Sequence, residues 1–416
     1  MDKSKYHEMT KNLDNLIEER AFDGKQIYIF GHCEASECLI NELRKRNIEP
    51  VSIFDNNKSK QGMYSHGVKI CSPDSLNMQD SDDMVMLIVA RAFDAMKDQL
   101  LNMAYRGRII QLVRFVTYSE QTINCMSETE VCSIKETGNK LIEGFLRDMS
   151  CDEVILCPYN ALGDVYYAMS YLPYFLKREK WENVLIAVTS EGCRKVAAMF
   201  GHEKIMTLDQ DTMDLVTVAS YLNNNDRVFT PHHDRPYFNT AWKMLGENGS
   251  TIEDIYRSKI FGLDQATKGY EPLVLKKYDN KDDIIVEGKT VILAPYAKSV
   301  ILLPEEYWES IAEKYLAKGY CVLTNVMGEE KPIKGTKAFN ALLDEMISAV
   351  EMAGAFIGIR SGLCDVIKTA KCRKTVIFPD CYYSSTDKKI SEVFALDGWN
   401  QVMSRDVMAG RWTDAF

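Results

Sequence analysis

Short runs of apolar residues alternate with longer amphipathic stretches along almost the whole chain. This alternation is typical of strands covered by helices, and it predicts an α/β fold with parallel sheets. The first third predicts a Rossmann-like domain over residues 1–116, preceded by a charged helix. The predicted strands of this domain are 26–31, 50–57, 84–90 and 106–113.

Two further series of strands predict two more Rossmann-like lobes. Residues 117–150 are polar and helical and are predicted to be a connector. The lobes are then predicted at 151–280 and 288–400, with a charged hinge between them and a tail at 401–416. The predicted strands of the lobes are 154–160, 183–190, 203–208, 226–233, 290–297, 319–325, 354–361 and 374–379.

Composition excludes several classes of protein. The 416 residues include 60 Asp and Glu against 50 Lys and Arg, so the net negative charge does not favour a nucleic acid partner. No segment has the pattern of a signal peptide or a bilayer-spanning helix, which predicts a cytoplasmic protein. The 12 cysteines lack zinc-ligand spacing, and no Asp-x-Asp pair lies at a strand end in either lobe, so no metal site is predicted.

The segment 354–367 is a predicted strand that passes through Arg360, Ser361 and Gly362 directly into a helix. Free amide groups and the helix dipole at such a turn favour a bound diphosphate. An ordinary turn with Ser361 as the helix N-cap is the alternative.

The segment 157–179 is the counterpart of that turn in the other lobe. Asn160, Gly163 and Asp164 lie in a loop that opens a long aromatic helix. Asp164 is either a helix cap or an acid that faces a cleft.

His232 and His233 end a predicted strand of the same lobe as Asp164. The two histidines are predicted either to bind sugar hydroxyls in the cleft or to belong to an ordinary loop. A core role is favoured for the aromatic stripe of the helix that follows Asp164.

The N-terminal domain retains only part of a dinucleotide-binding motif. Gly31 follows the first strand, but the two later glycines of the motif are missing, and Asp55 ends the second strand. A nucleotide held by Gly31 and Asp55 and a purely structural or partner-binding role are both open. The segment 27–57 resembles the Rossmann-like domains that precede sugar acetyltransferases and occur in other polysaccharide-cluster proteins.

The two lobes together resemble the ADP-heptose:lipopolysaccharide heptosyltransferase family. The segments that carry the resemblance, in order, are LGDVYYAMSYLP (162–173), LAPYAKSVILLPEEYWESIAEKYLAKGYCVLTNVMGEE (293–330) and FIGIRSGLCDVIKTAKCRKTVIFP (356–379). The resemblance extends from residue 151 to residue 400. It implies the two-lobed GT-B architecture, with an acceptor lobe followed by a donor lobe.

The resemblance also assigns roles to individual residues. It implies that Asp164 is the catalytic base and that Lys298 contacts the donor phosphates. It places Ser361 and Gly362 at the phosphate-facing turn and Glu329 or Glu330 near the donor ribose. The chain departs from the family at Arg360, where the family has Asp, and at Cys364-Asp365, where it has a helical His. Arg360 is therefore expected either to contact a phosphate or to pair with Asp365.

These observations predict a glycosyltransferase that moves a sugar from a nucleotide-diphosphate sugar to a glycan or glycolipid hydroxyl. The absence of a carboxylate pair for a metal favours an inverting reaction without a metal or other cofactor. Assembly of a bacterial surface polysaccharide at the inner face of the membrane is the expected setting, and peripheral membrane contact and a homo-oligomer are open. The alternatives are a non-catalytic regulator that binds a nucleotide or nucleotide sugar and, less favoured, an NAD-linked oxidoreductase.

Overall fold

A computed structural model describes residues 3–76, 83–90, 92–113, 120–124, 126–236, 241, 250–273, 275–297, 300, 302–383 and 388–412. The chain divides into two compact units, Met1–Thr117 and Tyr118–Phe416. In the parts of the chain that are described, no helix combines the length and apolar character needed to span a bilayer.

The first unit contains a six-stranded sheet with the strand order β3-β4-β2-β1-β5-β6. Its strands are parallel except for the β3-β4 hairpin, and Ile29 of β1 lies opposite Ile53 of β2 and Leu87 of β5. Successive residues of β1 enter cores on opposite faces of the sheet, so both faces are covered. The elements are α1 (Lys3–Glu18), β1 (Gln26–Phe30), α2 (Glu34–Lys45), β2 (Ser52–Phe54), β3 (Tyr64–Ser65), β4 (Val68–Cys71), β5 (Met84–Ile88), α3 (Phe93–Asn102) and β6 (Arg108–Gln111).

The second unit begins with helices in the segment that was expected to be a connector. Helix α4 (Glu120–Asn124) is followed by α5 (Glu128–Met149), which starts at a capping box of Ser127 and Glu130. The apolar side of α5 packs on a sheet, and at Gly138 a Cβ atom would lie 2.1 Å from the Cβ of Ala219. This helix is therefore part of the packed unit, because its apolar side needs that cover.

The first lobe of this unit has a four-stranded parallel sheet in the order β10-β7-β8-β9. Its elements are β7 (Glu153–Leu156), α6 (Leu162–Glu179), β8 (Val184–Val188), α7 (Glu191–Met199), β9 (Ile205–Thr207), α8 (Gln210–Asn223), β10 (Val228–Phe229) and α9 (Ile252–Asp254), which a π-helical segment (Ile255–Ile260) continues.

The second lobe has a six-stranded parallel sheet in the order β13-β12-β11-β14-β15-β16. The edge strand β16 lies partly in the segment that was expected to be a tail, and it pairs with β15. The elements are β11 (Thr290–Ala294), α10 (Glu305–Ala317), β12 (Cys321–Asn325), β13 (Lys337–Phe339), α11 (Met346–Ala353), β14 (Gly354–Ile359), α12 (Gly362–Val366), β15 (Arg373–Phe378), α13 (Ile390–Val393), β16 (Asn400–Met403) and α14 (Ser404–Met408).

The two lobes share one apolar core. Val165 and Tyr167 of α6 belong to the same buried cluster as Phe356 of β14 and Cys364 of α12. The predicted fold class, a Rossmann-like domain followed by two facing Rossmann-like lobes, is confirmed.

Candidate functional site

The candidate site lies at one edge of the first lobe's sheet. Strands β7 and β10 are parallel neighbours, with Val154 opposite Val228 and Ile155 opposite Phe229. The loop after β7 leads to Asp164, and the segment after β10 carries His232 and His233. Because the carboxyl ends of parallel strands meet at one edge, residues far apart in sequence come together there.

Asp164 lies in the first turn of α6, but it is not the helix cap. Ala161 is the N-cap, and no side chain caps the helix. The Asp164 carboxylate oxygen Oδ1 instead accepts a hydrogen bond from the Tyr256 hydroxyl at 2.8 Å. The same oxygen lies 3.3 Å from His233 Nε2 and 3.6 Å from His232 Nε2. We call Asp164, His232, His233 and Tyr256 the Asp164 cluster.

A second set of side chains holds the histidines of the Asp164 cluster. Nδ1 of His232 lies 2.9 Å from Oδ1 of Asp234, and the Tyr159 hydroxyl donates to Oδ2 of Asp234 at 2.8 Å. The ring of Tyr159 contacts His232 edge to face at 4.2 Å between centroids. His232 therefore lies between two carboxylates.

A buried ion pair continues this arrangement. The guanidinium of Arg235 lies over the Tyr159 ring at 4.7 Å from its centroid, and its Nη1 donates to Asp214 Oδ1 at 2.9 Å. The positive charge of Arg235 thus has Asp214 as a carboxylate partner.

The electrostatics of the cluster favour ionised carboxylates. Burial alone would raise the pKa of Asp164, but hydrogen bonds with His232 and His233 outweigh it and hold the pKa well below its usual range. In the same way the contact with His232 outweighs burial and lowers the pKa of Asp234 to about 2. Burial would lower the pKa of His232, but Asp164 and Asp234 raise it above its ordinary value.

The cluster also has the composition of a metal site. Asp164, His232 and His233 each present one ligand atom, and these atoms lie within 4.8 Å of one another. The sequence predicted no metal ligands, because Asp164 and the histidines are separated by almost seventy positions and lack a ligand-spacing motif.

The turn at 360–365 of the second lobe, which we call the Arg360 turn, uses its charges internally. The guanidinium of Arg360 makes two hydrogen bonds with Asp365, at 2.7 and 2.9 Å, and donates to the Phe394 carbonyl. Both side chains of the pair are at most 5% exposed. Of the two expectations for Arg360, the structure shows the pair with Asp365, and the phosphate contact stays a prediction.

Ser361 and Gly362 begin the short helix α12 at the seam between the lobes. Ser361 is the N-cap position, but its side chain makes no capping hydrogen bond. A Cβ atom on Gly362 would lie 2.9 Å from the backbone nitrogen of Gly163, and one on Gly163 would lie 2.5 Å from Asp365 Oδ2. The lobes therefore approach each other closely at these two glycines. The predicted phosphate contacts of Ser361 and Gly362 stay predictions.

The remaining predicted site residues of the two lobes are exposed or lie outside the described residues. Glu329 is exposed, and Glu330 accepts a hydrogen bond from the backbone of Met327 within a turn. Lys298 lies outside the described residues. Asn160 is exposed in the loop before α6.

In the first unit the partial nucleotide motif is engaged in local structure. Asp55 accepts hydrogen bonds from the backbone N–H groups of His32 and Asn57, both at 2.7 Å. Gly31 has a positive φ of 92°, and a Cβ atom there would lie 3.0 Å from the Met96 side chain. The carboxylate thus stabilises the loops after β1 and β2.

Sequence reasoning missed Tyr256, Asp234 and Tyr159 as members of this region. Asp234 follows the two histidines directly, which was a usable signal. Tyr256 lies in the π-helical segment, and no motif marks its approach to Asp164.

A cavity of about 390 Å³ lies between the lobes on another side of α6. Tyr166 and Tyr171 of α6 line it, together with Glu253, Arg257 and Lys368. Lys368 Nζ lies 3.3 Å from Glu253 and over the rings of Tyr166 and Tyr167 at 5.0 and 4.8 Å. Lys368 of this cavity is therefore engaged by Glu253 and by the aromatic rings.

Comparison with known proteins adds a family model and several solved structures. The model of the C2185-like N-terminal domain matches residues 24–110. No curated protein matches the chain by sequence.

Similar solved structures include bacterial glycosyltransferases. The iron-containing dodecameric glycosyltransferase TibC from enterotoxigenic E. coli H10407 has 15% identity and a TM-score of 0.40, over 60% of this chain and 64% of that chain. The family 9 glycosyl transferase from Veillonella parvula DSM 2008 has 11% identity and a TM-score of 0.41, over 64% and 90% of the two chains. The E. coli heptosyltransferase WaaC with ADP-2-deoxy-2-fluoro heptose has 12% identity and a TM-score of 0.36, over 60% and 92%. This chain thus spans 64% of the length of TibC.

Proposed function

We propose that this chain is a glycosyltransferase that moves a sugar from a nucleotide-diphosphate sugar to a hydroxyl of a glycan or glycolipid. The observation that carries the proposal is the ionised Asp164 carboxylate, 20% exposed, at the seam of two Rossmann-like lobes. Its neighbour Gly163 lies against Gly362 of the second lobe, so a donor held by that lobe would lie close to Asp164.

Asp164 would take the proton of the acceptor. In the transfer, the acceptor oxygen forms a bond to the anomeric carbon of the sugar, and the bond from that carbon to the diphosphate oxygen breaks. The diphosphate leaves with the electron pair, and the acceptor proton passes to the Asp164 carboxylate. Attack from the face opposite the diphosphate inverts the configuration at the anomeric carbon.

The low pKa of Asp164 fits a late proton transfer. A strongly ionised carboxylate is always ready to accept a proton, but it is a weak base. The acceptor hydroxyl becomes acidic only as its oxygen bonds to the electron-poor sugar carbon, so a weak base suffices at that stage. Tyr256 and the two histidines hold the carboxylate in place.

The proposed setting follows from the chemistry of the substrates. Nucleotide sugars are made in the cytoplasm, so a bacterial transferase of this kind would work there on a growing surface polysaccharide, at the inner face of the membrane where the acceptor is lipid-linked. A screen of nucleotide sugars would identify the nucleotide base and the sugar. A mass measurement in solution would show whether the chain forms a homo-oligomer.

The first experiment finds the donor and then removes the base. A thermal-shift screen with ADP-, GDP-, UDP-, CDP- and TDP-sugars should show stabilisation by one class, because a ligand of the folded state raises its stability. With that donor, Asp164→Asn should lower turnover about 10²- to 10⁴-fold, while the donor Kd stays close to the wild-type value.

The matched control is Asp211→Asn, the same change in the first turn of another helix, α8. It should turn over normally. Near-normal turnover of Asp164→Asn would remove Asp164 from the chemistry, and stabilisation by none of the five donor classes would contradict the transferase itself.

A further inference from the structure

We propose that Asp164, His232 and His233 form a binding site for one divalent transition-metal ion. The proposal goes beyond the transferase and does not rest on it. It rests on the positions of three ligand atoms and on the groups behind them.

The spacing of the ligand atoms fits a metal. Bonds of about 2.0–2.2 Å at tetrahedral angles place two ligand atoms about 3.3–3.6 Å apart. Asp164 Oδ1 lies 3.3 Å from His233 Nε2 and 3.6 Å from His232 Nε2. All three ligand atoms lie within 4.8 Å of one another, so a metal ion could bind them after an adjustment of the histidine side chains.

The groups behind the ligands are those that metal sites use. A histidine that binds a metal through one ring nitrogen commonly directs the other towards a carboxylate, which fixes the ring and increases its basicity. His232 Nδ1 lies 2.9 Å from Asp234 Oδ1 and accepts the Asp234 backbone N–H at 3.2 Å, so Asp234 fixes the ring, and the Tyr159 hydroxyl donates to Asp234 Oδ2 at 2.8 Å. The Tyr256 hydroxyl orients Asp164 Oδ1 in the same way.

The negative charge around His232 and His233 also favours a bound cation. Asp164 and Asp234 bring two negative charges to two imidazoles that are 2% and 6% exposed. The nearby Arg235 is paired with Asp214. A divalent cation among these groups would balance the two carboxylates.

The ligand set indicates the class of metal. Two imidazoles and one carboxylate suit zinc and iron(II), whereas magnesium and calcium prefer all-oxygen sites. Three protein ligands leave at least one position for water or a substrate oxygen. The contacts of Asp164 with Tyr256 and both histidines all involve Oδ1, so Oδ2 could still take the proton of an acceptor.

The test measures metal binding by the full chain, without any transferase assay. The protein is stripped with a chelator and titrated with Zn(II) by calorimetry, and with Co(II) by visible absorption. We expect one ion per chain and a cobalt spectrum of nitrogen and oxygen ligands. An intense near-ultraviolet thiolate band would instead assign the ion to cysteines and overturn the proposal.

Substitutions then locate the ion. His232→Gln and His233→Gln should each weaken Zn(II) binding at least 100-fold. Asp234→Asn should weaken it about 10- to 100-fold, because it removes only the group behind His232. The matched control is His202→Gln, in the loop between α7 and β9, which should bind Zn(II) like the wild type. Circular dichroism verifies that each variant is folded.

Besides the thiolate band, two outcomes would overturn the site. One is a wild-type protein that binds neither ion stoichiometrically. The other is equal affinity in the wild type, in His202→Gln and in the three cluster variants. Either result would leave a metal-free ion-pair cluster and would not affect the donor-binding test of the transferase.

Discussion

The first and second lobes each bring a charged strand-end turn to the seam between them, and the two turns use their charges differently. In the Arg360 turn, Arg360 and Asp365 lie five positions apart, are almost fully buried and neutralise each other. In the Asp164 cluster, the carboxylate is partly exposed and its partners come from a different strand end and from the π-helical segment.

The difference separates a structural charge from one that is available for chemistry. The Asp365 carboxylate is buried and accepts hydrogen bonds from Arg360 and from the Tyr167 hydroxyl of the other lobe, so it has little left to offer a ligand. Asp55 of the first unit is a similar case, since its oxygens accept two backbone N–H groups. Asp164 instead contacts groups that can themselves gain or lose a proton, and part of its surface remains accessible.

Asp365→Asn should give the largest loss of stability. The substitution leaves Arg360 charged and buried without its counter-charge, which typically costs about 3–5 kcal/mol of unfolding free energy. Chemical denaturation of the wild type and the variant measures the loss. The matched control is Asp279→Asn, whose partner Lys281 is 80% exposed and whose loss should stay below about 1 kcal/mol.

The result for Asp365 decides what the Arg360 turn does. A stability loss of similar size in both Asp→Asn variants would show that the buried pair is not structural. Arg360 would then again be a candidate for a phosphate contact, and the contrast with the Asp164 cluster would disappear.

Gly362→Ala should have the next largest effect. The added methyl group would lie 2.9 Å from the Gly163 nitrogen and 2.9 Å from the Leu162 Cβ, neither of which can move without the helix. We expect a loss of about 1–3 kcal/mol in unfolding free energy, the usual cost of overpacking.

A glycine without such neighbours provides the control for Gly362. Gly144 lies in α5, where an added Cβ would approach only the Arg147 side chain, at 3.9 Å. Gly144→Ala should therefore stabilise the protein, because alanine favours a helix. If Gly362→Ala and Gly144→Ala were equally stable, the lobes would not be in close contact at Gly362.

The sequence predicted the fold better than the site. Periodicity and strand-end polar residues were enough for the three sheets and for singling out the segments after β7 and β10 that carry Asp164, His232 and His233. The partners of each charge could not be predicted, because they depend on three-dimensional packing. Nothing in the sequence marks Tyr256 as a partner of Asp164. The pairing of Arg360 with Asp365 became visible only from the burial and contacts of both side chains. The helical pattern of α5 could be recognised in the sequence, but the packing of α8 against it could not.

The smallest expected effect is the pH dependence of stability that His232 contributes. His232 contacts Asp164, Asp234, His233, Tyr159 and Tyr256, and the carboxylates raise its pKa above the ordinary value near 6.5. A group with a raised pKa in the folded state stabilises the protein fully below its unfolded pKa, and this contribution is lost as the pH rises through the folded pKa. Asp164 and Asp234 have lowered pKa values, so their contributions are lost only at acidic pH and do not change above neutrality.

We therefore expect the stability advantage of the wild type over His232→Gln to shrink as the pH rises from 6 to 9, by no more than about 1.4 kcal/mol per pH unit for one proton. The measurement is urea denaturation at each pH in buffer with a chelator, so that no metal replaces the proton. His202→Gln provides a control of opposite sign, because burial without a carboxylate lowers the pKa of His202. A lowered pKa destabilises the folded state at low pH, so the advantage of the wild type over His202→Gln should grow as the pH rises through about 6.5. The same slope for both variants would show that Asp164 and Asp234 do not hold a proton on His232, and the distinction between the Asp164 cluster and an ordinary buried histidine would be lost.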